Sequence, residues 1–125
     1  MSDNESRTPF SLHARSRSFF FAFRGIAYLA RSEHNAWIHL AASVAAIALG
    51  GSLKISANDW RWIALAITLV WLAEALNTAI ERLCDVVNPN FDQRIGHAKD
   101  VAAGGVLIAA IGAAAIGAVT FLPYL

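Results

Sequence analysis

Cysteine is almost absent from this 125-residue chain: Cys84 stands alone, which excludes an intramolecular disulfide framework and any multi-cysteine zinc or cluster site. It reads as a small buried apolar residue. Charge is scarce as well, with 15% Asp, Glu, Lys and Arg against about 25% in soluble domains. Ten basic and nine acidic side chains leave a formal charge of +1, without the basic face of a nucleic-acid module, so no nucleic-acid partner is expected. The four histidines are scattered and make no zinc-binding spacing. No Walker-type phosphate loop occurs. What the chain has instead is 57% apolar residues, more than the roughly 45–50% of soluble proteins and far too apolar for intrinsic disorder. Three membrane spans of about 20 residues each would use up the chain as one unit.

Residues 1–13 are polar, contain Pro9 and read as a mobile tail. The first long uncharged run begins only at Asn35, too far along for a secretory signal. Over about residues 15–33 a helix is expected, with Phe19, Phe20, Phe21, Phe23, Ile26 and Leu29 interrupted by Arg17, Arg24 and Arg31. A spacing of seven is nearly two helical turns, so the arginines form one stripe, as in an amphipathic helix lying at the headgroups. Spans are expected over about 35–53, ended by Gly50, Gly51 and Ser52; over 60–87, opened by Trp60 and Trp62 and stopped by Pro89; and over 100–122. Residues 14–125 then form a single membrane domain of all-α architecture, three transmembrane helices preceded by a surface helix.

Loop charge sets the orientation. Arg7, Arg15, Arg17, Arg24, Arg31, Arg82, Arg94 and Lys99 fall on one side, Lys54 and Arg61 on the other. The positive-inside rule makes the N-terminus and the 88–99 link cytoplasmic in a bacterial inner membrane. Gly105, Ala109, Ala113 and Gly117 place small residues every fourth position of the third span, a face where another helix can approach closely, from the same chain or from a second one.

Ionisable groups within a span cost at least about 2.5–3.5 kcal/mol each near its centre, so several on one helix demand a reason. The second span carries Glu74, Asn77, Glu81 and Asp85. At about 100° per residue, Glu81 and Asp85 lie roughly 20° to either side of Glu74, and Asn77 about 60° away, so all four share one face. Glu74 comes about 21 Å of helix after Trp60, near the cytoplasmic boundary, whereas a proton-coupled carrier holds its acid near the midplane. Asp85 can be an ion-pair partner of Arg82, Arg94 or Lys99; Glu74 and Asn77 have no sequence-local cation. Two further clusters reach the same depth: Glu33, His34, Asn35 and His39 before the first span, and Gly96 to Asp100 before the third. There Lys99 sits beside an expected helix N-terminus suited to phosphate, with Asp100 as its cap. Carboxylates, amides and a lysine suit magnesium and a nucleotide better than zinc.

The runs Glu74-Ala-Leu-Asn77-Thr-Ala-Ile-Glu81 with Asp85, and Gly96-His-Ala-Lys99-Asp100-Val-Ala-Ala-Gly104-Gly105, resemble the prokaryotic diacylglycerol kinase and undecaprenol kinase family over about Ser18 to Leu122. The resemblance implies ATP- and Mg2+-dependent phosphorylation of a membrane lipid alcohol by a homotrimer with shared active sites. By the same resemblance Glu74 falls on the general base, Asn77 on a polar residue of the catalytic face, and Glu33 and Glu81 on metal-binding acids. Lys99 falls on a phosphate-contacting lysine, with Asp100 and Asp92 on nucleotide contacts. In the surface helix, Arg17 stands out of register with a nucleotide-binding basic residue of the family, and Phe21 replaces a tyrosine. The segment Glu33-His-Asn35-Ala-Trp-Ile-His39 looks more like the undecaprenol kinase branch. Two other classes compete: a proton-coupled transporter using Glu74, and a non-enzymatic assembly subunit held by the small-residue face. Neither involves nucleotide binding.

Overall fold

The computed structural model describes residues 9–125 as four helices and a closing 3-10 turn: α1 Leu12–Ser32, α2 His34–Leu53, α3 Ala57–Val87, α4 Gln93–Phe121 and the turn Leu122–Tyr124. No strand occurs among the described residues. Residues 1–8 of the expected tail lie outside them; Pro9 and Phe10 are non-helical. Helix α1 starts earlier than expected because Ser11 caps it, its hydroxyl accepting the Ala14 N–H at 3.3 Å. A single extended residue, Glu33, separates α1 from α2.

Two further helix starts differ from the sequence reading, and one helix is closed by a residue other than those expected. Helix α2 ends at Leu53, as expected, but Gly50, Gly51 and Ser52 remain helical and the cap is Lys54, whose left-handed backbone (φ 51°) directs its N–H to the Gly50 and Gly51 carbonyls. Gly50 is needed for packing: a Cβ there would lie 2.7 Å from the Trp60 ring. Helix α3 begins at Ala57 rather than Trp60, because Ser56 accepts the Asp59 N–H at 3.1 Å. Helix α4 begins at Gln93 rather than Asp100, because Asp92 accepts the Arg94 N–H at 2.9 Å. The polar link therefore shrinks to 88–92, and Lys99 and Asp100 lie about two turns inside a helix. The expectation of a phosphate-binding helix N-terminus at Lys99, with Asp100 as cap, is corrected accordingly. At Asp92 the Arg94 side chain holds the carboxyl below its ordinary value of 3.8. A depressed pKa contributes stability above the ordinary carboxylate range, lost as pH falls through the folded value.

Helices α2, α3 and α4 are each long and apolar enough to cross a membrane. Helix α3 packs most extensively, mainly on α4 and next on α2. Its buried residues Ile63, Ala66, Val70, Glu74, Asn77 and Thr78 recur every three or four positions, one helical face turned inward. The opposite face, with Leu65, Leu69, Leu72 and Leu76, is exposed, as are Leu107, Ile108 and Ile111 of α4. In a bilayer this apolar exterior faces lipid tails. With 31 residues, α3 is about 46 Å long and outlasts a hydrocarbon core of about 30 Å.

The alternating directions bring the start of α2, the end of α3 and the start of α4 to one end of the bundle. Two ion pairs bridge elements there, Arg82 to Glu33 at 2.7 Å and Lys99 to Asp85 at 2.6 Å. At the other end Tyr124 donates its hydroxyl to Asp59 at 2.6 Å and accepts the Ser56 N–H at 3.2 Å, closing the C-terminal turn onto the α2–α3 loop. Tyr124→Phe removes both bonds and is expected to lower the thermal midpoint in detergent. An unchanged midpoint would show that the closure contributes no stability.

Candidate active site

Glu74 is the largest fully buried side chain among the described residues, 1% exposed. A carboxylate so enclosed needs a partner, and helix α2 supplies one: His39 Nε2 lies 3.2 Å from Glu74 Oε2. The sequence placed both residues on a polar face without revealing this contact. Trp71 stands edge-on to the His39 ring and donates its indole N–H to Ser43 at 3.0 Å; Ser43 donates its hydroxyl to the His39 carbonyl at 2.7 Å.

One turn beyond Glu74, Asn77 donates its side-chain amide to Glu81 at 3.3 Å. The Asn77 carbonyl oxygen and the Thr78 hydroxyl are both buried without a hydrogen-bond partner. Such orphaned acceptors are costly unless a ligand, ion or water meets them. Asn77 and Glu81 line a cleft of about 280 Å³ together with Asn35, Ile38, His39 and α4 residues from Ala103 to Ala110. A second, mostly apolar cleft of about 240 Å³ runs from His39 along α3 and α4 to Phe121. Asn77 and Glu81 thus open onto a cleft with a polar side made by Asn35 and His39 and an apolar side made by α4, and His39 also borders the apolar groove beside it.

The remaining site candidates are distributed as follows. Glu33 and Asp85 are held by Arg82 and Lys99. Asp92 is occupied by its own helix cap and by Arg94. Asp100 is exposed. Arg17 and Arg24 each stand 5.9 Å from the Phe21 ring centroid, and no hydrogen bond or ion pair among the described residues joins Arg17 or Phe21 to Lys99 or Asp92. No cluster of three or more His, Cys, Asp or Glu capable of holding a metal occurs among the described residues. Cys84, expected to be buried, is half-buried near the charged end of α3.

Sequence reasoning missed Thr78, Trp71 and Ser43. Ser43 follows Asn35 and His39 at intervals of four, so the α2 stripe was present in the sequence. Trp71, inside an apolar run, carried no such signal.

The family profile for prokaryotic diacylglycerol kinase matches residues 20–121. An undecaprenol kinase of Bacillus subtilis is 38% identical over 109 residues, covering 87% of this chain and 89% of the relative. A diacylglycerol kinase of Synechocystis sp. is 38% identical over 107 residues, covering 85% of this chain but 61% of the relative, which is substantially longer. An all-helical chain with three membrane-length helices, matched over most of its length, therefore belongs to the prokaryotic diacylglycerol kinase family of lipid kinases.

Proposed function

We propose that this protein transfers the γ-phosphoryl group of ATP to the hydroxyl of a membrane lipid alcohol at the cytoplasmic face of a bacterial inner membrane. The observation that carries the reading is the sealed Glu74 carboxylate beside the Asn77–Glu81 pair, at the charged end of three membrane-length helices. Phosphoryl transfer asks the protein for positioning, charge neutralisation and an acceptor for the hydroxyl proton, and needs little else. Glu74 accepts that proton as general base, with Asn77 on the same face. The hydroxyl oxygen bonds to phosphorus as the bond to the ADP oxygen breaks.

Lys99 reaches the nucleotide phosphates after leaving Asp85, with Asp100 and Asp92 at the nucleotide and Arg17 and Phe21 covering it from α1. The Asn77 carbonyl oxygen, buried with no protein hydrogen to accept and next to Glu81, is a hard oxygen that fits Mg2+ or its water. Glu81 and Glu33 would hold this ion, Glu33 through the oxygen that Arg82 does not engage. When bound, Mg2+ would supply neutralisation of the charge on the transferring phosphoryl group. A homotrimer belongs to the same reading: Gly105 of α4 is exposed and a Cβ there would meet nothing within 4 Å in this protomer, which leaves room for a helix of a second chain.

The acceptor is proposed to be a polyprenol such as undecaprenol, on the strength of the Glu33-to-His39 segment, with diacylglycerol as the second reading. The two relatives, equally identical in sequence, carry one name each. The test offers both lipids in mixed micelles with ATP and Mg2+. Phosphorylation of the polyprenol above diacylglycerol supports the reading, the reverse order replaces it, and no transfer to either rejects it. Because Asp85 competes for Lys99, Asp85→Asn is expected to raise ATP affinity in a titration. The same change should leave the thermal midpoint almost unmoved, since exposed ion pairs contribute little stability.

A further inference from the structure

We propose that His39 is a positioning residue for the Glu74 carboxylate, holding one of its oxygens so that the other faces the lipid hydroxyl. The proposal rests on the reading of Glu74 as the base and adds what orients it. Glu74 is 1% exposed, so water cannot fix its rotamer, and His39 is the only hydrogen-bond partner of its side chain among the described residues. The contact uses Oε2 alone, at 3.2 Å, and leaves Oε1 without a protein partner.

The imidazole is itself held. The Trp71 ring meets it edge-on at 6.3 Å between centroids, an arrangement that favours aromatic pairs. The Trp71 indole is tied to Ser43, and Ser43 to the His39 carbonyl. Trp71 lies one turn before Glu74 on α3, and Ser43 one turn after His39 on α2. The circuit therefore joins the two helices at the level of the carboxylate. A general base is effective only when its accepting atom is held in line with the proton, and a displacement of about 1 Å can cost about 100-fold in rate.

The chemistry assigns the tautomer with hydrogen on Nε2, which donates to an ionised Glu74. The hydroxyl proton then passes to Oε1 as the oxygen–phosphorus bond forms and ADP departs. His39 gains and loses no proton, and the proton remains on Glu74 until product release. Imidazole thus plays the part that a carboxylate plays for histidine in a hydrolase triad, with the roles reversed.

The experiment compares His39→Gln with His39→Asn in the purified full chain, phosphorylating undecaprenol and diacylglycerol in mixed micelles. Both substitutions bury a neutral amide, but only glutamine is long enough to present an N–H to Oε2. Relative to the unsubstituted protein, His39→Asn is expected to lower kcat about 30- to 100-fold with KM for ATP and lipid little changed, and His39→Gln to recover at least a third of kcat. Equal kcat in the two variants, or a loss confined to KM, overturns the proposal. Glu74→Gln run beside them separates the failures. Full turnover in Glu74→Gln removes the base reading itself, whereas an inactive Glu74→Gln with indifferent His39 variants overturns only the positioning role.

Discussion

Glu74→Gln is expected to lower lipid phosphorylation by about 10²- to 10⁴-fold while ATP binding is unchanged. Glutamine keeps the size of the side chain and an oxygen able to accept from His39, so the packing around α2 and α3 is preserved. It cannot take up the hydroxyl proton. The nearest other acids of α3 do not substitute, because Glu81 and Asp85 lie about 10 and 16 Å further along the helix. Glu74→Asp should fall between the two, since its carboxyl is withdrawn by one methylene from a site where position governs rate. ATP-dependent protection of the 88–99 segment in hydrogen exchange reports nucleotide binding independently of turnover. Protection retained with transfer lost is the expected combination. Transfer at full rate in Glu74→Gln would remove Glu74 from the chemistry.

Gly50→Ala is expected to destabilise the protein by about 1–3 kcal/mol, the usual consequence of forcing a methyl group into a filled space. Its Cβ would stand 2.7 Å from one Trp60 ring carbon, 3.0 Å from another and 3.1 Å from the Ile55 side chain. The indole is rigid and has two torsions with which to retreat, and Ile55 is itself buried. The thermal midpoint in detergent should drop by several degrees, with lipid phosphorylation retained below it, because Gly50 lies about 24 Å of helix away from His34. In a Trp60→Leu background the two shortest contacts are removed and only that with Ile55, at 3.1 Å, remains. There the loss on alanine substitution should shrink to below about 1 kcal/mol, the helix preference for alanine offsetting part of the residual crowding. Equal losses in both backgrounds would show that the indole is not the obstacle.

Hydropathy located the three spans, and the spacing of Glu74, Asn77, Glu81 and Asp85 located the polar face of α3 before any coordinates. Both depend on residues near one another in sequence. The start of α4 was misplaced because hydropathy marks where hydrocarbon begins, whereas Asp92 and its cap mark where the helix begins. Gly50 and Gly51 read as a terminus by propensity, yet α2 runs through both to Leu53, with Gly50 packed against Trp60. His39 and Glu74 were both singled out, but they are 35 residues apart on antiparallel helices, and no local pattern joins them. Nor does any sequence rule pair Lys99 with Asp85 across the 88–92 link, although the two charges were candidates for pairing.

On the proposed reading, the Glu74 carboxylate, about 25 Å along α3 from Ala57, meets its lipid where a hydrocarbon core of about 30 Å gives way to headgroups. The lipid would then be modified without leaving its leaflet. A neutral alcohol passes through the bilayer interior far more readily than a phosphate monoester, whose charge must be stripped of water to cross. Each turnover would convert a molecule free to exchange between leaflets into one confined to the side that holds the nucleotide. Such a catalyst would drain the opposite leaflet by mass action, a one-way valve for the lipid that moves nothing across the membrane itself.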